Sequence, residues 1–323
     1  MSGKFEKEQE MKVKIENRLK GKPQVVNEFY YNLIGSGKSY TTTYTYINYI
    51  ISFLNYTFKD GCKEDFYLEV KPLHINQYMA SLRTKDVNGK KERTSDSIKT
   101  VHWSALNTFF QFLVPDYITS NPVSSTNRPK MKDNPKVTYL DETEIAGILK
   151  NASTKASRKL KNRDLCILKL GFSTGLRVSA IMQIDIDDID FAHNQIKITE
   201  KGDHDDYVMF GENMKHQLIA WIEDRNKYFT CDTDALFISQ MNERMSDDAI
   251  SEMLKKYAKG VTDKKVTPHV MRHSCATNLY EKTGDIYLCA KQLHHKNVST
   301  TQRYAELSKE RQKRASNILD GMI

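Results

Sequence analysis

Three short runs in this 323-residue chain bring together side chains able to do chemistry. Gly35-Ser36-Gly37-Lys38-Ser39 has the ending of a phosphate-cradling loop, in which backbone amides and the lysine would hold a nucleotide. The full pattern requires glycine at position 32, where Asn32 stands, and a preceding strand, where the periodicity is helical. It reads instead as a helix–helix turn with Ser39 as N-cap. Asp185-Ile186-Asp187-Asp188-Ile189-Asp190 has the carboxylates of a calcium loop. It lacks glycine at the sixth position and has Ile196 at the twelfth, so a strand with a wet face is expected. His269 and His273, four apart on one helix face, could hold zinc with His294 or His295. Val270 stands where a metalloprotease has its glutamate, and no carboxylate or cysteine ligand lies at suitable spacing. His269 also shares its face with Arg272, a permanent cation suited to an oxyanion. None of these is specific alone: His-x-x-Arg occurs by chance, and a tyrosine near a C-terminus, such as Tyr304, is ordinarily packing.

The elements that must carry these residues follow from periodicity and punctuation. Across 23–113 apolar residues recur three and four apart, with Tyr44, Ile47, Ile51 and Leu54 on one helical face. Val101, Ala105, Phe109, Phe112 and Leu113 lie on another. Residues 1–20 alternate charges and are expected as an N-terminal arm, either a solvated helix or a frayed segment. Loops are expected at 35–39, 60–65 and 85–94. Pro122, Pro129 and Pro135, with small polar and basic neighbours, mark 121–137 as an extended linker. The domains are thereby placed at 21–120 and 138–323. The second opens on Asp141, Glu142 and Glu144 at a helix N-terminus. A buried helix over 165–172 meets a Ser173-Thr174-Gly175 turn, and another helix starts near Arg177. Strand-like runs at 184–191, 195–199 and 207–210 follow, the last two flanking Glu200-Lys201-Gly202-Asp203, which puts Lys201 at a hairpin tip. Pro268 suits a first helical turn, Gly284 ends that helix, and Ser299 to Gln302 is a capping-box pattern opening a helix with Tyr304. Tyr280 and Tyr287 are expected in the core.

Composition narrows the partners. Hydrophobic residues are 39% and charged residues 28%, a globular balance. With 49 Lys and Arg against 41 Asp and Glu, the net charge is +8, which points to an anionic partner. Through residue 136 there are 21 basic and 14 acidic residues, leaving 28 and 27 beyond it. The excess of +7 therefore sits in the first domain and linker, the expected grip on a phosphate backbone. Five widely spaced cysteines without a C-x-x-C pair predict reduced thiols, and an opening rich in Lys, Glu and Gln predicts no secretory signal and a cytoplasmic protein.

The order of the pieces is specific. Thr174-Gly175-Leu176-Arg177-Val178-Ser179, hairpin Lys201, His269-x-x-Arg272, Leu293-His294-His295 and Ser299-Thr300-Thr301-Gln302-Arg303-Tyr304 occur in sequence. Tyr304 follows His295 by nine residues, His295 follows Arg272 by 23, and Arg272 follows Arg177 by 95. The chain resembles the tyrosine recombinase (phage integrase) family over nearly its whole length. Ala180 stands where that family commonly has an acidic residue, and His294 where it usually has glycine; the spacing to Tyr304 favours His295 as the phosphate-facing histidine.

The resemblance implies a mainly α fold with a small β-sheet: an all-helical, SAM-like core-binding domain followed by a mixed α+β catalytic domain. It implies a site-specific recombinase of the integrase or Xer type that cleaves and rejoins double-stranded DNA through a 3′-phosphotyrosyl intermediate and a Holliday junction, with integration or excision of a mobile element as its task. The catalytic set is Arg177, Lys201, His269, Arg272, His295 and Tyr304. Arg177 and Arg272 would clamp the non-bridging oxygens, Tyr304 attack, His269 act as base, Lys201 protonate the leaving oxygen and His295 hydrogen-bond the phosphate. No cofactor or metal is expected. Lys38, Arg93, Lys99, Arg128 and Lys130 are expected on DNA. The partners are recombination sites, a homotetramer formed by exchanging the tail 305–323, and accessory DNA-bending factors. The alternatives are relaxation of DNA like a type IB topoisomerase, a catalytically silent DNA-binding protein of the same fold, and a metal-dependent nuclease, which EDTA would inactivate.

Overall fold

The computed structural model describes residues 2–87, 90–130, 137–200, 204–230, 232–294, 298, 301, 317 and 320. They belong to two compact units, 1–133 and 134–323. The fold is mainly helical with a small three-stranded sheet. No helix among the described residues is long and apolar enough to cross a membrane.

The first unit begins with helix α1 (Ser2–Leu19). Ile15 and Leu19 on its last turns are buried in the same core as the helices that follow, so of the two expected forms it is the helix, packed on one side instead of fully solvated. Helices α2 (Gln24–Gly35) and α3 (Tyr40–Thr57) meet at a turn where Gly37 has φ +78 and the Ser39 hydroxyl accepts from the Thr42 amide at 3.3 Å. That is the N-cap read from the sequence, and it accounts for the glycine-rich run without a nucleotide. Helix α4 (Pro72–Ser81) leads to paired strands β1 (Thr84–Val87) and β2 (Lys90–Arg93), then to α5 (Asp96–Phe112). The segment 85–94 was expected as a loop; Asn88-Gly89 is the sequence signal for a hairpin there.

Aromatic rings fill this core. Phe29 meets Phe109 edge-on at 5.1 Å, and Phe53 meets Tyr78 at 5.4 Å. Residues 121–130, expected as part of an extended linker, are docked on α5. Val123 is fully buried, the Asn121 amide donates to the Asn107 carbonyl at 3.3 Å, and Trp103 Nε1 donates to Thr126 Oγ1 at 2.9 Å.

One buried group gives this unit a pH response. His102 stacks on Tyr49 at 3.7 Å and its Nδ1 shares a hydrogen bond with Tyr78 Oη at 2.8 Å. Burial lowers its pKa from 6.5 to about 4. The unfolded chain therefore takes up this proton first, and stability present above 6.5 is lost as pH falls toward 4. Chemical denaturation of the full chain at about pH 5 should show it roughly 2 kcal/mol less stable than at about pH 7.5 from this group. His102→Phe should remove that increment; an unchanged pH slope would show that His102 does not carry it.

The second unit packs helices around a short sheet. Helix α6 (Glu142–Lys155) starts in a capping box, Asp141 Oδ1 accepting from the Glu144 amide at 2.9 Å and Glu144 Oε2 from the Asp141 amide at 3.0 Å. Helix α7 (Lys161–Thr174) is buried along most of its length, and α8 (Val178–Gln183) follows. The acidic run is a 3-10 turn, Ile186–Asp188, and strand β3 (Ile189–Asp190), instead of one continuous strand. Its carboxylates have local work: Asp188 accepts from the Asp185 amide at 2.8 Å, and Asp190 accepts from the Ala192 and His193 amides.

Strands β4 (Gln195–Glu200) and β5 (His204–Met209) pair antiparallel from Gln195↔Met209 to Glu200↔His204, in the order β3-β4-β5. Helices α9 (Glu212–Tyr228), α10 (Asp247–Ala258), α11 (Pro268–Thr283) and α12 (Ile286–Gln292) complete the unit. A buried network holds α7 against α10. Arg163 donates to Asp164 Oδ1 at 2.7 and 2.9 Å and to the Ile238 carbonyl at 2.8 Å, while Tyr257 Oη donates to Asp164 Oδ2 at 2.6 Å. Both charges and every polar atom named there are matched, which is what makes such burial tolerable. α7 is thereby a fixed base for what its C-terminus presents.

Candidate active site

Helix α7 ends where the chain must turn sharply. Gly175 lies in the left-handed region at φ +66, and its amide closes the helix on the Gly171 carbonyl at 3.1 Å. Any side chain there would also collide: a Cβ would sit 2.6 Å from Leu293 Cδ2 and 3.3 Å from Cys275 Cβ. Thr174 Oγ1 donates to the Leu170 carbonyl at 2.6 Å and accepts from the Leu176 amide at 3.3 Å, and Leu176 is buried. The next residue is Arg177, exposed, at the N-cap position of α8. Both turn and anchor are local consequences of Thr-Gly-Leu.

Helix α11 supplies the second arginine. Thr267 Oγ1 caps it by accepting from the Val270 amide at 3.3 Å, Pro268 occupies its first turn, and Gly284 terminates it at φ +73. Arg272 is buried to 6% exposure. Its Nη1 donates to the Gly175 carbonyl at 2.8 Å and its Nη2 to the Leu293 carbonyl at 2.6 Å. One guanidinium thus ties the turn preceding Arg177 to the turn preceding His294. Gln292 Nε2 adds a bond to the Thr174 carbonyl at 3.3 Å. His269, one helical turn before Arg272 on the same side, is exposed.

Arg177, His269 and Arg272 are therefore carried by two elements that Arg272 itself joins. Lys201, His295 and Tyr304 lie outside the described residues, as do the Ser299-to-Gln302 capping pattern apart from Thr301, Cys231, and nearly all of the tail 305–323. The last described pair of β4 and β5, Glu200↔His204, brackets residues 201–203 in the sequence.

Of the residues expected on DNA, Arg128 and Lys130 line one open concavity with Thr100, Asn127 and Pro129. Lys99, on the same helix as Thr100, is partly buried with its Nζ 3.2 Å from Asp96 Oδ1, so a local carboxylate balances its charge. Arg93 is exposed at the end of β2, and Lys38 is exposed in the turn between α2 and α3. Tyr280 is half-buried and Tyr287 is 73% exposed, so the latter is not a core residue. α12 turns Cys289 and Ala290 inward and leaves Tyr287 and Leu288 on its outer face.

Two further groups belong to this region and were not singled out from the sequence. Asp206, on β5, accepts from His294 Nδ1, and Gln292 braces the Thr174 turn. The unusual His294 was the one available signal; nothing in the sequence marks Asp206 as its partner. Among the described residues no group of three or more His, Cys, Asp or Glu side chains could hold a metal. Cys166 and Cys275 are buried, and burial raises both thiols well above the usual range.

Residues 138–311 match the family model described as the phage integrase family. The XerD tyrosine recombinase of Oceanobacillus iheyensis is 30% identical over 290 residues, which is 88% of this chain and 94% of that protein. The XerC recombinase of Alcanivorax borkumensis is 32% identical over 258 residues, covering 77% and 82%. Among solved structures, the XerH recombinase in a post-cleavage complex with difH DNA superimposes with a TM-score of 0.73 at 21% identity, covering 87% of this chain and 81% of that one. A lambda integrase tetramer on a Holliday junction gives 0.66 at 17%, covering 87% and 76%. These two likenesses establish the fold.

Proposed function

Since the chain belongs to the phage integrase family of tyrosine recombinases, and is thus a site-specific recombinase, we propose that it cuts and rejoins DNA with Tyr304 as nucleophile and with Arg177 and Arg272 as the phosphate clamp. The observation that carries this reading is Arg272, whose two carbonyl bonds draw the Arg177 turn and the 293–294 turn onto one helix. Tyr304 Oη attacks the phosphorus, forming a phosphotyrosyl bond as the P–O5′ bond breaks. The phenolic proton passes to His269, and Lys201 gives a proton to the departing 5′ oxygen. His295 donates to a non-bridging oxygen. The broken ester's energy is kept in the new one, so another strand's 5′-hydroxyl can reverse the step without ATP.

The substrate is duplex DNA, gripped first by the basic unit 1–133. The assembly is a homotetramer on two duplexes, passing through a Holliday junction and joined by the tail 305–323. The task we assign is integration or excision of a mobile element. Supporting the DNA assignment is the +7 excess in the first 136 residues and the Arg128–Lys130 concavity.

The test is a trap. Random-sequence duplexes, together with the DNA flanking the gene, are incubated with the chain, and SDS-resistant adducts are sequenced. Protein on a 3′ phosphate, a free 5′-hydroxyl, indifference to EDTA and ATP, and a site beside the gene are the expected results. Adducts only with added metal, or none, would refute the chemistry. Plasmids carrying one or two trapped sites then separate recombination from relaxation, and a chain lacking 312–323 should bind one site yet fail to join two.

A further inference from the structure

His294 sits in a conformation its residue type does not favour. Its φ is +51, in the left-handed region where glycine rests without steric penalty, and glycine is the residue usual there in this family. The side chain is nonetheless held by contacts: it is only 10% exposed, and its Nδ1 hydrogen-bonds Asp206 Oδ2. Asp206 belongs to β5, 88 positions earlier in the chain. Burial pulls its carboxyl upward, but the Tyr207 amide, the His294 hydrogen bond and the nearby charges of His294 and Lys291 outweigh it and hold it below the usual carboxylate range.

The connection joins two parts of the second unit that are far apart in the chain. On one side, the 292–294 turn is fixed to α11 through the Leu293 carbonyl and Arg272, and to the Thr174 turn through Gln292. On the other, β5 pairs with β4 as far as Glu200↔His204, the described pair that brackets Lys201 in the sequence. The side-chain bond at Asp206, two residues from that pair, ties this end of β5 to the 292–294 turn.

We propose that His294 and Asp206 are a positioning pair that fastens the Lys201 hairpin to the arginine-bearing turns, so that the proton donor reaches the same phosphate the clamp holds. The inference rests on the recombinase reading above. Neither residue touches the reacting atoms; each acts by where it puts Lys201.

A leaving-group substitution tests this directly. A 5′-bridging phosphorothiolate releases a thiolate, which departs without being protonated, so it bypasses the proton donor. Nicked duplexes carrying the trapped site, with oxygen or sulfur at that position, are given to the unmodified chain and to His294→Gly, Asp206→Ala and His294→Asn. The expected result is adduct formation slowed about tenfold or more by His294→Gly and Asp206→Ala on the oxygen substrate, and within about twofold of the unmodified chain on the sulfur one. His294→Asn, which tolerates the backbone and can still donate to the carboxylate, should lose less. His294→Gly relieves the backbone, so its thermal midpoint should not fall.

Unmodified rates on oxygen, slowing by only one member of the pair, or equal slowing on both substrates would overturn the proposal. So would failure of His294→Gly to fold, because the pair would then be a structural prop. If the unmodified chain forms no adduct on either substrate, it is the recombinase reading that has failed, and the pair loses its purpose with it.

Discussion

Tyr304→Phe should abolish the protein–DNA adduct, by at least about 10⁴-fold, while leaving site binding within about twofold. The phenol is the only atom set in that side chain able to form the ester, and phenylalanine keeps the ring while removing the oxygen. An unperturbed phenol near pKa 10 is ionised to about one part in a thousand at neutral pH, so the reaction must draw on Arg177, Arg272 and His269 to become fast. It follows that Tyr304→Phe and the arginine variants should not add, since each disables the same step. Tyr287, 73% exposed on α12, is the control that matters, because exposure alone would let it reach DNA. Tyr287→Phe should cleave normally. If the adduct survives in Tyr304→Phe and disappears in Tyr287→Phe, the nucleophile has been misassigned.

Much of this site was legible because backbone geometry writes itself into residue type. A left-handed helix end requires glycine, and Gly175 and Gly284 fall where α7 and α11 stop. A free helix N-terminus requires a short oxygen side chain, and Ser39, Asp141 and Thr267 supply it. What was illegible was whatever depends on contact across the chain. Arg272 binds two backbone carbonyls, and a carbonyl belongs to every residue type, so no sequence pattern names Gly175 and Leu293 as its partners. Arg163, Asp164 and Tyr257 form one network from positions 93 apart, and Asp206 meets His294 across 88. The misread segments fail for a related reason. Charge alternation in α1 looks like a solvated helix or a frayed arm unless the burial of Ile15 and Leu19 is known, and the prolines of 121–130 look extended until Val123 and Trp103 dock them.

That dual use of Arg272 separates it from Arg177, and the separation is measurable. Both are assigned to the phosphate, and removing one preorganised donor set of this kind typically costs about 10²- to 10³-fold in rate. Arg177 is exposed, so Arg177→Ala should lose cleavage and lose less stability than Arg272→Ala. Arg272 is 6% exposed and satisfies two buried carbonyls. Arg272→Ala leaves both without a donor, at roughly 1–3 kcal/mol each in addition to the rate. Arg272→Lys is the sharper variant. It keeps the charge, but a single ammonium cannot reproduce a planar fork aimed at carbonyls on two different turns. With charge kept and fork lost, binding of site DNA should survive, stability should fall by about 1 kcal/mol or more, and cleavage should drop nearly as far as in Arg272→Ala. Cleavage by Arg272→Lys within about tenfold of the unmodified chain would mean that charge alone does the work. The two turns would then be held together by something other than Arg272, and the convergence on which the site is built would have a different cause.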